Sequence, residues 1–369
     1  MLSAALPRRH VVAPASVLFG VGSWGLGHAT RDLPLILGLL GAGHRVTVLG
    51  SGTSLALLRR ELGERCRYLE IPGMRVPLGR TPFRFYFKYT LTLPLIWWET
   101  LRQRAFVQRL LAAEHFDVVV SDNRYGVWSW RVPSILIAHG LRFIAPGRNH
   151  LLELGLEWVN ARCFRGFRWI AVPDFERNDL SGDLSHGLRF YDHGKIAYLG
   201  LLSSVEPADV PQDLDMFISI SGPEPQRTLL ERQVLRQLPR LQAHGLVALG
   251  RPQSAPLPDI AGWHIAPYLD RRQQASAMNR CRLAVVRGGY TTLMELAALG
   301  KPAVLIPTPG QTEQEYLASY QEGLGHFFQA EQQALDLSRV AHGRPPNPYQ
   351  PAHLTGASVH RFLDLVDSC

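Results

Sequence analysis

The chain predicts an α/β protein of two doubly wound, parallel-sheet domains, and three observations carry that prediction. At 17–49 and again at 283–306, a short apolar run leads through glycines into a helix and on to a second apolar run, the alternation such sheets require. The length of 369 residues allows two cores of ordinary size. In the middle lies Ser203-Ser204-Val205-Glu206-Pro207-Ala208-Asp209-Val210-Pro211, whose composition marks an interdomain linker.

Taken in order, residues 1 to about 14 read as a loose extension, and Val17 to Gly20 as the first strand. Leu33 to Leu40 is a helix stopped by Gly41-Ala42-Gly43, and Val46 to Leu49 is the second strand. The strand within 117–123 ends on Asp122, and a strand from Ser134 to Ala138 brings His139 to the same rim, because strand ends converge in an open parallel sheet. Trp169 to Val172 and Ile196 to Leu199 complete the first half. In the second half, Met216 to Ile220, Leu246 to Leu249, Trp263 to Ile265, Leu283 to Val286 and Ala303 to Ile306 read as strands. Ala352 to Val366 reads as a closing helix. The expected organisation is residues 1–204, residues 205–355, and a helix at 356–369 returning to the first domain.

Hydrophobic residues make up 46% and charged residues 19% of the chain, so it is globular and not a disordered tail. The formal charge of +8 suits anionic membranes, nucleic acid or anionic substrates without distinguishing them. No nucleic-acid module is recognisable. Cys66, Cys163, Cys281 and Cys369 are far apart with no C-x-x-C pair, so neither a disulfide framework nor a zinc site is expected, and a cytoplasmic location is. The start lacks an apolar stretch of secretory length, and no run reaches the roughly 18 apolar residues of a spanning helix.

The richest chemistry lies at 283–318. Arg287-Gly288-Gly289 turns the chain after a buried strand, and a helix follows in which Thr292 with Glu295 forms a T-x-x-E capping box, closed by Gly300-Lys301-Pro302. A glycine turn at a helix start leaves amides free beside a partial positive charge, which suits phosphate oxygens. After the next strand, Thr308-Pro309-Gly310-Gln311-Thr312 leads to Glu313-Gln314-Glu315-Tyr316, amide and acid groups suited to sugar hydroxyls.

This segment resembles the nucleotide-sugar signature of the GT-B glycosyltransferases, closest to glycosyltransferase family 28. The resemblance implies two Rossmann-like domains facing each other across a cleft, a UDP-sugar donor with N-acetylglucosamine as the expected sugar, and a lipid-linked acceptor. It implies that Gly288, Gly289, Thr291 and Thr292 lie under the diphosphate, that Glu295 accepts the ribose hydroxyls, and that Gln314-Glu315 hold the donor sugar, where the family has two glutamines. Ser221, Gly222 and Arg227 would face the diphosphate from a turn in which prolines replace the family's glycines. Tyr268 and Leu269 stand where the family seats uracil, although a packing tyrosine reads equally well. Gly25-Leu26-Gly27-His28 is similar to the family's G-x-G-H loop, placing Gly27 at the diphosphate and His28 at the acceptor. A histidine there can take a proton from a hydroxyl near neutral pH. His28 is the expected base with Asp122 as its partner, His139 the rival base, and Arg31 and His139 the acceptor contacts; His28 as a mere cap or diphosphate contact is the other reading. Arg227 and Arg287 would offset phosphate charge, so neither a metal nor a cofactor is expected.

Three further readings come from the residues. Gly20-x-Gly22-x-x-Gly25 fits a dinucleotide fingerprint, but the second strand ends in Leu49-Gly50-Ser51-Gly52 without the acid that would hold a ribose, which demotes a nicotinamide oxidoreductase. A UDP-sugar epimerase of the same architecture would use additional carboxylates such as Glu315. Asp213-Leu214-Asp215 is a D-x-D triplet placed before a strand instead of after one, which argues against a metal role. The stretch 83–109 interleaves aromatic and basic residues, including Trp97, Trp98, Arg102 and Arg104. It reads either as a peripheral membrane contact on the inner face of the membrane or as helices packed on the core, with Pro82 and Pro94 breaking any single long helix.

Overall fold

The computed structural model describes residues 13–22, 26–71, 82–177, 179–251, 256–343, 349–350, 352 and 354–369, with the backbone alone at 82–93. The expected extension at 1–12 and Gly25 of the glycine loop lie outside the described residues.

Apolar runs become strands because both faces of a parallel sheet are covered by helices. The first sheet is built from β1 (Ser16–Gly20), β2 (Arg45–Gly50), β3 (Arg67–Glu70), β4 (Val118–Asp122), β5 (Ser134–Ile137), β6 (Trp169–Val172) and β7 (Ile196–Tyr198), in the order β3-β2-β1-β4-β5-β6-β7, all parallel. Its helices are α1 (Leu26–Gly41), α2 (Gly52–Leu62), α3 (Pro82–Ala113) and α4 (His150–Phe164). The second sheet contains β8 (Leu214–Ser219), β9 (Gly245–Ala248), β10 (Trp263–Ala266), β11 (Cys281–Val286), β12 (Ala303–Leu305) and β13 (Phe328–Gln329), in the order β10-β9-β8-β11-β12-β13, again all parallel. Helices α5 (Gln226–Gln237), α6 (Arg271–Arg280), α7 (Tyr290–Leu299), α8 (Thr312–Gly323) and α9 (Leu337–His342) go with it. In each sheet the strand order reverses beside the first strand, at β1/β4 and β8/β11, and ligands of such sheets bind at that crevice.

The last helix, α10 (Leu354–Asp367), packs back on α1, with Phe362 edge-on to Phe19 of β1. Gly38 of α1 makes room for it, since a Cβ there would stand 2.3 Å from Val359. The chain thus crosses between the sheets twice, and the crossings are tied: Thr355 Oγ1 accepts from Ser203 N at 3.0 Å and lies 3.0 Å from Ser203 O.

Two local expectations are corrected. Residues 82–113 form one helix, not two. Pro82 is in the first turn, where its missing N–H has no intrahelical partner to lose, and Pro94 lies on an exposed flank, where an unpaired carbonyl one turn back is cheapest. Helix α7 begins at Tyr290 with Gly289 as its cap, so Thr292 and Glu295 are inside the helix and form no capping box. The short edge strands β3 and β13 have too few apolar residues to stand out in the sequence.

Candidate active site

The C-terminal ends of β1, β4 and β5 deliver a buried polar cluster to the rim that faces the second domain. Asp122, the last residue of β4, is fully buried, and its Oδ2 lies 2.6 Å from His28 Nδ1 in the first turn of α1. Its Oδ1 accepts a short hydrogen bond from Arg31 Nη2, one helical turn beyond His28. Burial alone would raise the Asp122 carboxyl, but Arg31 and His28 override it and hold the group well below the carboxylate range. With an ionised acceptor on that side, the network assigns the imidazole proton to Nδ1 and leaves Nε2 as the basic atom. Arg31 Nη2 also approaches His28 Nδ1 at 3.0 Å, and its acceptor in this assignment is the carboxylate. Burial, with the Arg31 charge, outweighs Asp122 and moves the His28 pKa below its ordinary 6.5, so the ring is neutral at pH 7. Gly22 is fixed by this geometry, because a Cβ there would stand 2.7 Å from the His28 ring.

His139, two residues past β5, reaches the same cluster with both ring nitrogens engaged. Nδ1 lies 3.0 Å from Arg31 Nη1, and Nε2 lies 3.2 Å from Glu313 Oε1 on α8 of the second domain. Its ring stacks on Tyr290 at 4.3 Å and 7°. Arg31 is 1% exposed beneath this array, so it supports the pair and does not reach an acceptor, contrary to expectation. The next residue, Asp32, is fully buried, and burial and the nearby Asp122 charge push its pKa well up, favouring the protonated carboxyl.

On the facing side, the N-terminus of α7 meets the N-terminus of α1, with Thr291 Oγ1 donating to Gly27 O at 3.5 Å. Arg287 is 4% exposed and points back into the domain, where its guanidinium donates to the carbonyls of Ser221, Gln226, Ile306 and Pro307. It therefore braces the turns after β8 and β12 and is not itself a phosphate contact. Gly288 and Gly289 follow, and a Cβ on Gly289 would meet nothing within 4 Å. Gly222, at φ +105°, keeps the facing turn open beside Ser221, which is exposed. Arg227 is engaged by Glu224 and by Glu231 Oε2 at 2.6 Å, so its charge is offset within the domain and not presented to a diphosphate.

Glu295 is 6% exposed, accepts from Ser204 Oγ at 3.2 Å, and burial pushes its pKa up to about 7. Gln314 Oε1 and Glu315 Oε1 accept from the backbone N–H of Thr308 and Gly310 at 2.9 and 2.8 Å. The expected sugar-holding pair thus clamps its own loop, and Glu313 is the acid of this helix that reaches the cleft. The sequence shows Glu313 inside the acidic cluster, yet only the fold tells that helix face from its neighbour. Tyr268 is 41% exposed, whereas Leu269 packs partly buried against the core. Thr292 lies one residue past Thr291, still within the first turn of α7.

Asp213 and Asp215 are tied up in ion pairs, Asp213 to Arg280 and Asp215 to His244 and Arg282. Among the described residues, Asp174, Asp179 and His186 bring ligand atoms within 4.8 Å of one another. Asp174 there accepts from the backbone N–H of Phe175, Leu180 and Ser181, and Asp179 from Gly182 N and Tyr320, so they order a loop.

Residues 232–343 match the glycosyltransferase family 28 C-terminal domain, which spans β11, α7, β12 and α8. The chain is a family 28-like glycosyltransferase of GT-B fold. The glycosyltransferase is 25% identical over 338 residues to the UDP-N-acetylglucosamine–N-acetylmuramyl-(pentapeptide) pyrophosphoryl-undecaprenol N-acetylglucosamine transferase of Acidithiobacillus ferrooxidans, covering 88% of this chain and 86% of that one. It is 37% identical over 114 residues to the Methylorubrum populi protein of the same name, covering 29% and 30% of the two chains. Among solved structures, the calicheamicin glycosyltransferase CalG4 superposes with a TM-score of 0.65 at 15% identity over 96% and 98% of the chains. Acinetobacter baumannii MurG superposes with a TM-score of 0.57 at 16% identity over 96% and 100%. The dinucleotide alternative falls with these matches, and the Gly22 of its fingerprint is required by the His28 ring. Glu315, the carboxylate singled out for the epimerase alternative, is turned into its own loop.

Proposed function

We propose that the protein is an inverting, metal-independent transferase that moves N-acetylglucosamine from its UDP ester to a hydroxyl of a lipid-linked acceptor. One observation carries this reading: His28 Nε2 is left basic by the Asp122 contact at Nδ1 and stands where the N-termini of α1 and α7 face each other. In the proposed reaction, Nε2 takes the proton of the acceptor hydroxyl as its oxygen attacks the anomeric carbon from the side opposite the diphosphate. The bond from that carbon to the phosphate oxygen breaks, and UDP leaves with its charge met by free amides at the start of α7. Inversion follows from a single displacement. Glu295, ionised, would clasp the ribose, and Tyr268 offers an exposed ring to the base.

The exposed surface of the first domain supports a membrane-surface location. Along most of helix α4 the polar side is the inner one: Glu153, Glu157 and Asn160 are buried, with Phe164 at its end, whereas Leu151, Leu152, Trp158 and Val159 are exposed. Arg142 pairs with Glu157 at 2.7 Å and Arg148 with Glu153 at 3.0 Å, which holds the apolar face outward. On α3, Trp97 and Trp98 are exposed with Arg102 over Trp98. Arg131, Arg165, Arg168 and Lys195 border a cavity of about 490 Å³ beyond the end of α4, a cationic surround for lipid phosphates. Phe83 to Tyr89 of the aromatic stretch lie among residues whose side chains are not described. Among the described residues no helix is long and apolar enough to cross a membrane.

The test is UDP release from UDP-N-acetylglucosamine with and without a lipid-linked muramyl acceptor. Release should require the acceptor, and His28→Ala should reduce it about 10²- to 10⁴-fold with UDP affinity unchanged. Sugar isomerisation or UDP release of equal rate without acceptor refutes the reading. Co-sedimentation with vesicles of phosphatidylglycerol and phosphatidylcholine, weakened by Leu151→Ser with Trp158→Ser, tests the location separately.

A further inference from the structure

We infer that His139 and Glu313 are positioning residues that reach the catalytic pair through Arg31, so that His28 is held as a base only while the second domain is closed against the first. This rests on His28 being the base. The contacts form one chain across the cleft: Glu313 Oε1 to His139 Nε2 at 3.2 Å, His139 Nδ1 to Arg31 Nη1 at 3.0 Å, Arg31 Nη2 to Asp122 Oδ1, and Asp122 Oδ2 to His28 Nδ1 at 2.6 Å.

The direction of every bond in the chain is set by chemistry. A guanidinium has only donors, so His139 Nδ1 accepts from Arg31 and carries no proton. The neutral ring then has its proton on Nε2, which donates to the Glu313 carboxylate. Both nitrogens are occupied, so His139 has no free atom with which to deprotonate a substrate, which separates it from His28. The second domain supplies this lock twice, through Glu313 on α8 and through Tyr290 on α7, whose ring holds the imidazole plane. Tyr290 is 3% exposed, and its hydroxyl donates to Pro173 O of the first domain at 2.7 Å. Separating the domains removes the carboxylate and the stacked ring together. Arg31 then keeps a rotating acceptor in place of a fixed one, and the carboxylate it shares with His28 loses its anchor.

The charged and titratable groups around His28 are Asp122 on β4, Arg31 and Asp32 on α1, His139 after β5, and Glu313 on α8. Negative charge on Glu313 favours the protonated ring. Its removal should therefore shift the acid limb of kcat/KM to lower pH.

The experiment uses the full chain with UDP-N-acetylglucosamine and acceptor, and compares His139→Leu, His139→Gln and Glu313→Gln. His139→Leu should lower kcat about 10- to 100-fold, the usual cost of losing an orienting partner, with UDP affinity held. His139→Gln, whose amide offers both an acceptor and a donor, should return to within a few fold of the parent. A Gln variant as impaired as Leu overturns the inference, because the ring would then be doing acid–base work. Full activity of the Leu variant overturns it equally, as does a Glu313→Gln profile whose acid limb is unmoved. UDP-dependent thermal stabilisation shows that each variant is folded. Nitrogen-15 spectra of the parent at pH 8 should show His139 with its proton on Nε2 irrespective of turnover, and a proton on Nδ1 overturns the chain of bonds. Failure of the base reading itself would appear elsewhere, as an undiminished His28→Ala enzyme.

Discussion

The two rims that face each other across the cleft use charge in opposite ways. On the first-domain rim, His28, Arg31, Asp122 and His139 are bonded to one another, and the ring nitrogen these bonds leave open is His28 Nε2. On the second-domain rim, Arg287, Gln314 and Glu315 are bonded to their own backbone, and Glu313 and Thr291 are the side chains that reach across, beside the peptide at the start of α7. In the proposed reaction one rim handles a proton and the other an anion. The lesson is that ionisable groups near a cleft are not automatically ligand contacts; several are the scaffolding that lets a neighbour make contact.

Asp122→Asn strikes this contrast hardest. Arg31, which only donates, claims the single amide oxygen, so the NH2 group faces Nδ1 and turns the imidazole to the wrong tautomer, and kcat should fall on the order of 10³- to 10⁴-fold. UDP affinity should stay within twofold, since no part of the donor rim depends on Asp122. A comparable loss in UDP affinity would mean that the rims are not separable.

Arg287→Lys probes the other side. An ammonium cannot reach four carbonyls spread over two turns, so stability should drop by about 1–3 kcal/mol in denaturant unfolding, with UDP affinity falling alongside. If affinity falls and stability does not, Arg287 touches the diphosphate directly and the bracing role is wrong.

Glu295→Gln has the smallest effect, about tenfold in UDP affinity by calorimetry. The folded carboxyl, at about 7, binds its proton more tightly than in the unfolded chain. Its contribution to stability is therefore complete at low pH and fades as pH rises through 7. The Gln variant should melt no lower than the parent at pH 8. Affinity of the parent for UDP should strengthen as pH passes 7, and that slope should vanish in the variant.

Much of the architecture was legible because parallel strands buried on both faces are near-continuous apolar runs, as Val118–Val120 and Leu283–Val286 show. The glycine turn at 288–289 and the rim positions of Asp122 and His139 followed from strand ends alone. What the sequence could not show was side-chain direction. Arg31 reads like a surface contact one turn after His28, yet the helix turns it inward onto Asp122. Glu313, Gln314 and Glu315 are chemically similar neighbours, and a 100° step per residue sends one to the cleft and two to the loop. Thr292 and Glu295 matched a capping pattern whose residue types are equally satisfied inside a helix when glycine takes the cap.

The bond between Ser203 and Thr355 also has a mechanical meaning. Two adjacent pins on one side of a body permit swinging and resist sliding, so the halves should part by rotation about that line. Movement would then be greatest at the far lip and least beside the pins. Glu295, bonded to Ser204 next to that line, would keep its place through the whole swing, and under the proposed reading a nucleotide would then stay seated by its pentose while the acceptor side empties.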